Sequence, residues 1–313
     1  MLSEGFKASY LMNEISNNPL LISTVICTYN RANILPLCLE HIEKQDCNRE
    51  LFEIIIVNNN SSDETEVIAQ DWVKKSKKNL NIRYTFEGKQ GLSAARNKGI
   101  KEAKGLYVNF IDDDALLPPN FLSTLVKCIH NHTGIAGFGG KIIPKYFGTE
   151  PKWMSVFTEG LVSKHNLGER PMVYEKIGIY PTGCNMTYKR SIVQEVGTFD
   201  EALLRRCDDK YIAYEIKKKG YQILYVPQLW LEHYIDEERI TVRLDTICKD
   251  TGFHERIRLR QKSGFIKMLK LLEYLFKLGA SILIFFYYVL SNQYTKGIMV
   301  VKMRWWFLIG FVQ

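Results

Sequence analysis

Asp112-Asp113-Asp114 follows directly on the apolar run 106–111, which reads as a buried strand. Three carboxylates in a row at a strand end are costly, since two unit charges about 4 Å apart repel by roughly 4 kcal/mol at an effective dielectric of ~20. Something cationic should compensate them, and magnesium typically uses one or two protein carboxylates together with substrate phosphates. A solvated acidic turn ahead of Pro118-Pro119 accounts for the same triplet, so the triplet alone leaves both readings open. A second acidic pair, Asp208-Asp209, precedes a helical segment through Lys219 that Gly220 is suited to stop in the left-handed conformation.

The elements around these residues place the polar clusters together. Strand-like runs at 21–27, 52–57, 81–86 and 106–111 alternate with helical segments. Asn33 can cap a helix to about Lys44 with Pro36 in its first turn, Ser61 or Ser62 can cap the next, and Gly91 opens a third through Ala103. The run 81–86 is the most polar and suits an edge. Such alternation predicts an α/β fold with a mostly parallel sheet covered on both faces, and ligands in these sheets bind beyond the carboxyl ends of the strands. Thr28-Tyr29-Asn30-Arg31, the cluster 58–63 and the three aspartates all fall there, so they are expected to form one site. Between Pro144 and Pro181 the pattern dissolves into Gly, Pro, Lys and aromatics including Trp153, which is expected to be a substrate-covering segment. Order returns with Gly183-Cys184-Asn185-Met186, a helix near 191–196, and a strand at 222–226 with His233 beyond it.

The 313 residues allow one large domain with an appendage, or two domains, and 46% hydrophobic content supports a substantial core. Lys and Arg (42) exceed Asp and Glu (34), a formal charge of +8 that suits an anionic partner. The excess is uneven, with seven Lys or Arg and only Glu273 as an acid from Lys262 onward, which argues against a nucleic-acid binder. Seven scattered cysteines without a Cys-x-x-Cys pair fit neither a disulfide framework nor a zinc site and suggest reduced thiols in a cytosolic setting. The N-terminal stretch carries Glu4, Lys7 and Glu14 and no apolar signal core, so secretion is not expected.

Phe265, Met268, Leu269, Leu272, Leu275 and Phe276 repeat at helical spacing, with Lys267, Lys270, Glu273 and Lys277 on another stripe. The uncharged run 278–290 is 13 residues long, ~20 Å as a helix against a hydrocarbon core of ~30 Å. A second apolar segment, 297–312, is broken by Lys302 and Arg304 and carries Trp305-Trp306. Helices lying in one leaflet are expected in preference to a span, and a helical cap or oligomer contact is the alternative.

The ordered set Thr28-Tyr29-Asn30-Arg31, 57–63, 91–97, 110–114, Gly183-Cys184-Asn185, Gly197-Thr198-Phe199-Asp200, Cys207-Asp208-Asp209, Gly220-Tyr221 and His233 resembles the family-two glycosyltransferases, with the GT-A fold, over roughly residues 20–235. The resemblance implies a catalytic domain (21–235, donor half to about 140 and acceptor half from 141), which leaves an N-terminal extension (1–20) and, outside the family pattern, the C-terminal helical region (236–313) expected from its own residues to associate with membrane. It implies that Thr28, Tyr29, Arg31, Asn58, Arg96, Asp112 and Asp113 meet a nucleotide-diphosphate sugar, and that Asp114, Asp112 and His233 hold Mg²⁺ or Mn²⁺. Asp209 matches the base of inverting members, with Trp153, Gly183, Asn185 and Asp208 on the acceptor side. Asn58 departs from the family, which usually has Asp there, and that leaves the nucleotide base open. The implied reaction is transfer of one sugar to a glycan or lipid-linked acceptor for cell-surface polysaccharide, at the cytoplasmic face of the membrane.

Two other enzymes and one non-enzyme compete. A processive polysaccharide synthase carries Gln-x-x-Arg-Trp, and residues 301–305 offer only the Arg-Trp. A nucleotidyltransferase lacks support, because no Gly-rich, Lys-bearing loop follows the first strand. An inactive nucleotide-sugar-binding protein would not need Asp112, Asp114 and Asp209 together.

Overall fold

A computed structural model describes residues 20–176, 178–241 and 243–313. The chain forms two compact units: one of residues 20–143, 166–204 and 208–233, the other of residues 144–165, 205–207 and 234–313. By packing, therefore, 144–165 groups with the C-terminal helices, and the boundary of the first unit falls at His233.

Strands β1 (Ile22–Thr28), β2 (Phe52–Asn58), β3 (Ile82–Phe86) and β4 (Tyr107–Asp112) are mutually parallel in the order β3-β2-β1-β4. In β1, β2 and β4 the side chains are buried on both sides, as in the run Ile54, Ile55, Ile56 and Val57, and each such burial contributes about 1.5–3 kcal/mol. Helices α1 (Leu35–Glu43), α2 (Thr65–Ser76) and α3 (Leu92–Glu102) make the crossovers. Every parallel strand thus ends on the same rim, as expected, and β3 lies at the edge.

Beyond β4 the sheet changes direction. Strand β5 (Ala115–Leu116) and helix α4 (Phe121–Asn131) lead to β6 (Gly137–Tyr146), then β7 (Met172–Val173), β8 (Met186–Lys189), helices α5 (Arg190–Glu195) and α6 (Asp208–Lys218), and β9 (Ile223–Ile235). The order continues β4-β8-β6-β9-β5, and β8 is antiparallel to both β4 and β6. The sheet is thus parallel in its first half and mixed in its second. Strand β9 runs 13 residues through His233 rather than stopping at Val226. Pro227 obscures that continuation, because proline cannot donate to a ladder. Gly220 does stop α6, at φ +83°.

Two expected caps differ. Helix α1 starts at Leu35 with Ile34 at its N-cap, and α2 starts at Thr65, whose N–H bonds Asp63 Oδ1 at 3.0 Å. Ser61 and Ser62 are spent instead on joining two loops of the rim.

The second unit packs α7 (Glu237–Thr241), α8 (Leu244–Arg258), α9 (Gly264–Leu290) and α10 (Tyr294–Val312). Helices α8 and α10 touch backbone to backbone: a Cβ on Gly252 would stand 2.1 Å from the Phe307 carbonyl oxygen, and one on Gly310 1.9 Å from that of Lys249. The basic stripe and the uncharged run 278–290 form one continuous helix of 27 residues, about 40 Å long. No helix among the described residues is long and apolar enough to cross a membrane.

Candidate functional site

The loops after β1 and β2 are sewn together by their polar side chains. Asn30 N–H donates to Ser61 Oγ (3.0 Å), Ser62 N–H to Asn30 Oδ1 (2.8 Å), Arg31 N–H to Thr65 Oγ1 (2.8 Å) and Ala32 N–H to Asp63 Oδ2 (3.2 Å). Asn30 and Asn60 both take positive φ, +51° and +58°, a conformation asparagine tolerates better than most residues. Asn59 anchors the rim to α3 by accepting from Gly91 N–H at 2.8 Å. The result is a rigid shelf with buried Thr28 at its base and half-exposed Tyr29 on it.

The three aspartates are compensated by the chain's own arginines, Arg31 and Arg96. Arg31 donates to Asp113 Oδ1 at 3.3 Å and also bonds Asp114 Oδ2. His233 Nε2 stands 3.1 Å from Asp114 Oδ1. Burial pushes the Asp113 carboxyl up to about 7, with Arg31 pulling it back and Asp114 adding to the rise. Repulsion within the triplet is therefore answered without invoking a metal, and the case for one rests on the donors themselves. A carboxylate oxygen of Asp112, Cys184 Sγ and a ring nitrogen of His233 lie within 4.8 Å of one another. An acid, an imidazole and a sulfur converging at one point fit a divalent ion, and Asp114 touches the same histidine.

Two strand pairings make this convergence. Antiparallel β8 sets Met186 opposite Phe110, and continuing that register two residues back into the turn before β8 brings Cys184 level with Asp112. Antiparallel β9 sets His233 opposite Ala115, beside Asp114. Cys184 has no role in the sequence reading. Its only signal is its place between Gly183 and Asn185, and that signal becomes meaningful once β8 is recognised as a strand.

Arg96 joins the rim to the second acidic pair. It is 2% exposed, bonds Asp208 Oδ2, and reaches Asp112 Oδ1 at 3.1 Å and the Gly183 carbonyl at 3.2 Å. Burial opposes its charge, but the carboxylates of Asp208 and then Asp112 outweigh burial and hold it firmly cationic. The guanidinium also lies over the Phe199 ring at 5.7 Å, and Phe199 is fixed to α3 by reciprocal 2.9 Å bonds with Asn97. Gly183 must be glycine here, since a Cβ would stand 2.7 Å from Arg96 Nη2.

Asp209 opens α6 beside this group. Its Oδ2 accepts from Gly183 N–H at 3.1 Å and its Oδ1 from Lys210 N–H at 2.7 Å. The sequence leaves open whether its like-charged neighbour or the helix N-terminus decides its basicity. Burial decides it: burial first and the Asp208 charge second push the carboxyl up to about 6, against Arg96 and the two backbone donors. Gly183 thus contacts Asp209 through its N–H and Arg96 through its carbonyl, linking Asp209 to Asp112 through two intermediaries.

The remaining expected site residues sit in varied places. Asn58 is fully buried, donates to Tyr84 Oη at 3.1 Å and accepts from Ser61 N–H at 3.1 Å. Asn185 is buried and donates to the Leu229 and Lys141 carbonyls at 2.8 and 3.4 Å, bracing β6 and β9. Trp153 belongs to the second unit, where it packs with Leu161, Leu244 and Met299. Arg304-Trp305 lies within α10 of that unit.

The chain matches the family described as Glycosyl transferase family 2 over residues 23–197, more than half its length. It is 26% identical over 227 residues to a glucosyl-dolichyl phosphate glucuronosyltransferase of Haloferax volcanii, covering 70% of each chain. It is 37% identical over 109 residues to the GalNAc(5)-diNAcBac-PP-undecaprenol beta-1,3-glucosyltransferase of Campylobacter jejuni, covering 34% of this chain and 33% of that one. Among solved structures it is similar to mannosyltransferase PcManGT of Pyrobaculum calidifontis in complex with GDP-Man and Mn²⁺, with TM-score 0.65, 16% identity, and 98% and 97% of the two chains covered. It is also similar to S. aureus TarS 1–349 in complex with UDP, with TM-score 0.51, 20% identity, and 74% and 65% covered. These likenesses support the GT-A fold, and the family match is decisive: this chain belongs to glycosyltransferase family 2 and is a glycosyl-transferring enzyme.

Proposed function

We infer that the enzyme is a metal-dependent, inverting glycosyltransferase that moves one sugar from a nucleotide-diphosphate sugar to a hydroxyl of a glycan or lipid-linked acceptor. The observation carrying this reading is the link Asp112–Arg96–Gly183–Asp209, which joins an anion-and-cation rim to a half-buried carboxylate of raised pKa. In this reading Tyr29 stacks on the nucleobase, Thr28, Asn58 and Arg31 hold the nucleoside and diphosphate, and Asp112 and Asp113 position the donor. Asp209 removes the proton of the acceptor hydroxyl as its oxygen attacks the anomeric carbon on the face opposite the leaving diphosphate, and a carboxyl raised toward neutrality is the better base. Arg96 holds the Asp208 and Asp112 side chains in place, while Gly183 orients Asp209. Asp112, Asp114 and His233 would hold Mg²⁺ or Mn²⁺, which as a Lewis acid offsets charge building on the departing diphosphate. Gly183, Asn185 and Asp208 are assigned to the acceptor side.

The exposed apolar residues of α9 and the basic excess of the tail support membrane-surface association at the cytoplasmic face, where lipid-linked acceptors are presented. Both similar enzymes described above have lipid-linked substrates in their names, which supports a role in cell-surface glycan assembly. The test is a panel of UDP-, GDP- and other nucleotide sugars with Mn²⁺, read by nucleoside diphosphate release. One donor should release diphosphate in a metal-dependent manner, and silence across the panel with a folded enzyme and lipid-linked acceptors would overturn the reading.

A further inference from the structure

We propose that Cys184 is a further protein ligand of the divalent-cation site beside Asp114, which brings an Asp112 oxygen, a His233 nitrogen and a sulfur around the ion and favours borderline-soft ions over Mg²⁺. This deepens the proposed function and rests on its cation site. The three donor atoms already lie within 4.8 Å of one another. Cys184 and His233 are each 1% exposed; His233 is paired within β9, and Cys184 sits in the buried turn just before β8, packed into the main core cluster, so the sulfur has little freedom to turn elsewhere. Arg96 engages Asp112 through Oδ1, and a carboxylate has a second oxygen to offer a cation. The alternative is a small apolar core residue, since Cys184 also packs with the cluster around Ile111 and Leu229. That role would be met by any small residue and gives no reason for a sulfur to sit beside an acid and an imidazole. Magnesium prefers six oxygens, whereas thiolate with imidazole suits zinc, cobalt and cadmium. As the sulfur–metal bond forms, the thiol proton leaves to solvent.

The test is a Co²⁺ titration of the full chain without nucleotide sugar, so its outcome does not depend on donor or acceptor. One equivalent should give a near-ultraviolet sulfur-to-cobalt charge-transfer band. Cys184→Ser and Cys184→Ala should abolish the band and weaken Cd²⁺ binding about tenfold or more while changing Mn²⁺ binding far less. Cys27→Ala, which removes the thiol beside Asp112 on β1, should retain the band. Absence of the band in the unsubstituted chain, or its survival in folded Cys184→Ala, would overturn the proposal. If both Cys184 variants fail to fold, mass-spectrometric mapping of alkylation in the unsubstituted chain decides instead: Cd²⁺ should protect Cys184, and unchanged labelling there would overturn it. A failed donor panel with an intact cobalt band would sink the transfer reading and leave the sulfur ligand standing.

Discussion

In the first unit the apolar run 54–57 is fully buried, and Arg96, Asp114 and His233 are buried beside partners of opposite character. Along α9 of the second unit, Phe276 and Leu283 stand 76% and 73% exposed. The first unit closes its apolar surface on itself and hides charge where geometry must be exact to fractions of an ångström. The second buries an ion pair of its own, Glu255 with Arg258, but along α9 it leaves large side chains in contact with whatever adjoins them. Disturbing charge should therefore damage the first unit, and adding charge should damage only what the second adheres to.

Arg96→Ala sharpens that contrast most. It strips the partner from Asp208 and from Asp112 and should cost about 3–5 kcal/mol, read as a lowered urea midpoint. Arg96→Lys should not restore it, because a single ammonium cannot reproduce the fork to two carboxylates and a carbonyl. Unchanged stability in Arg96→Ala would remove the argument for a buried charge hub. Phe276→Glu with Leu283→Glu should cut sedimentation with anionic vesicles at least ~10-fold, since burying each side chain is worth about 1.5–3 kcal/mol. The unfolding midpoint should barely move, and intact vesicle binding would argue for a cap or an oligomer contact. Gly183→Ala should destabilise by about 1–3 kcal/mol as the new methyl displaces Arg96, and should lower transfer with it.

Parts of this were legible in the sequence for a definite reason. Parallel strands place every carboxyl end on one rim, so Thr28, Asn58 and Asp112 were predictably neighbours once the runs were recognised as strands. The later half was opaque. Gly137, Gly139 and Gly140 dilute the strand signal of β6, Pro227 interrupts that of β9, and β8 is only four residues long. Without β8 and β9 nothing places Cys184 or His233 beside Asp112. The caps misled because Ser61 and Ser62 have the right chemistry for a helix start and spend it on Asn30. The basicity of Asp209 was unreadable because it depends on burial, which neighbours in sequence do not reveal.

The central claim is that Asp209 takes the acceptor proton. A base raised to about 6 works only when deprotonated, so transfer should rise with pH through about 6 and fall below it as the carboxyl is protonated. The most direct measurement pairs single-turnover transfer with calorimetric donor binding in Asp209→Asn. The account predicts a rate lower by about 10²–10⁴-fold with donor affinity unchanged. Transfer near the unsubstituted rate, with the same pH limb, would contradict it.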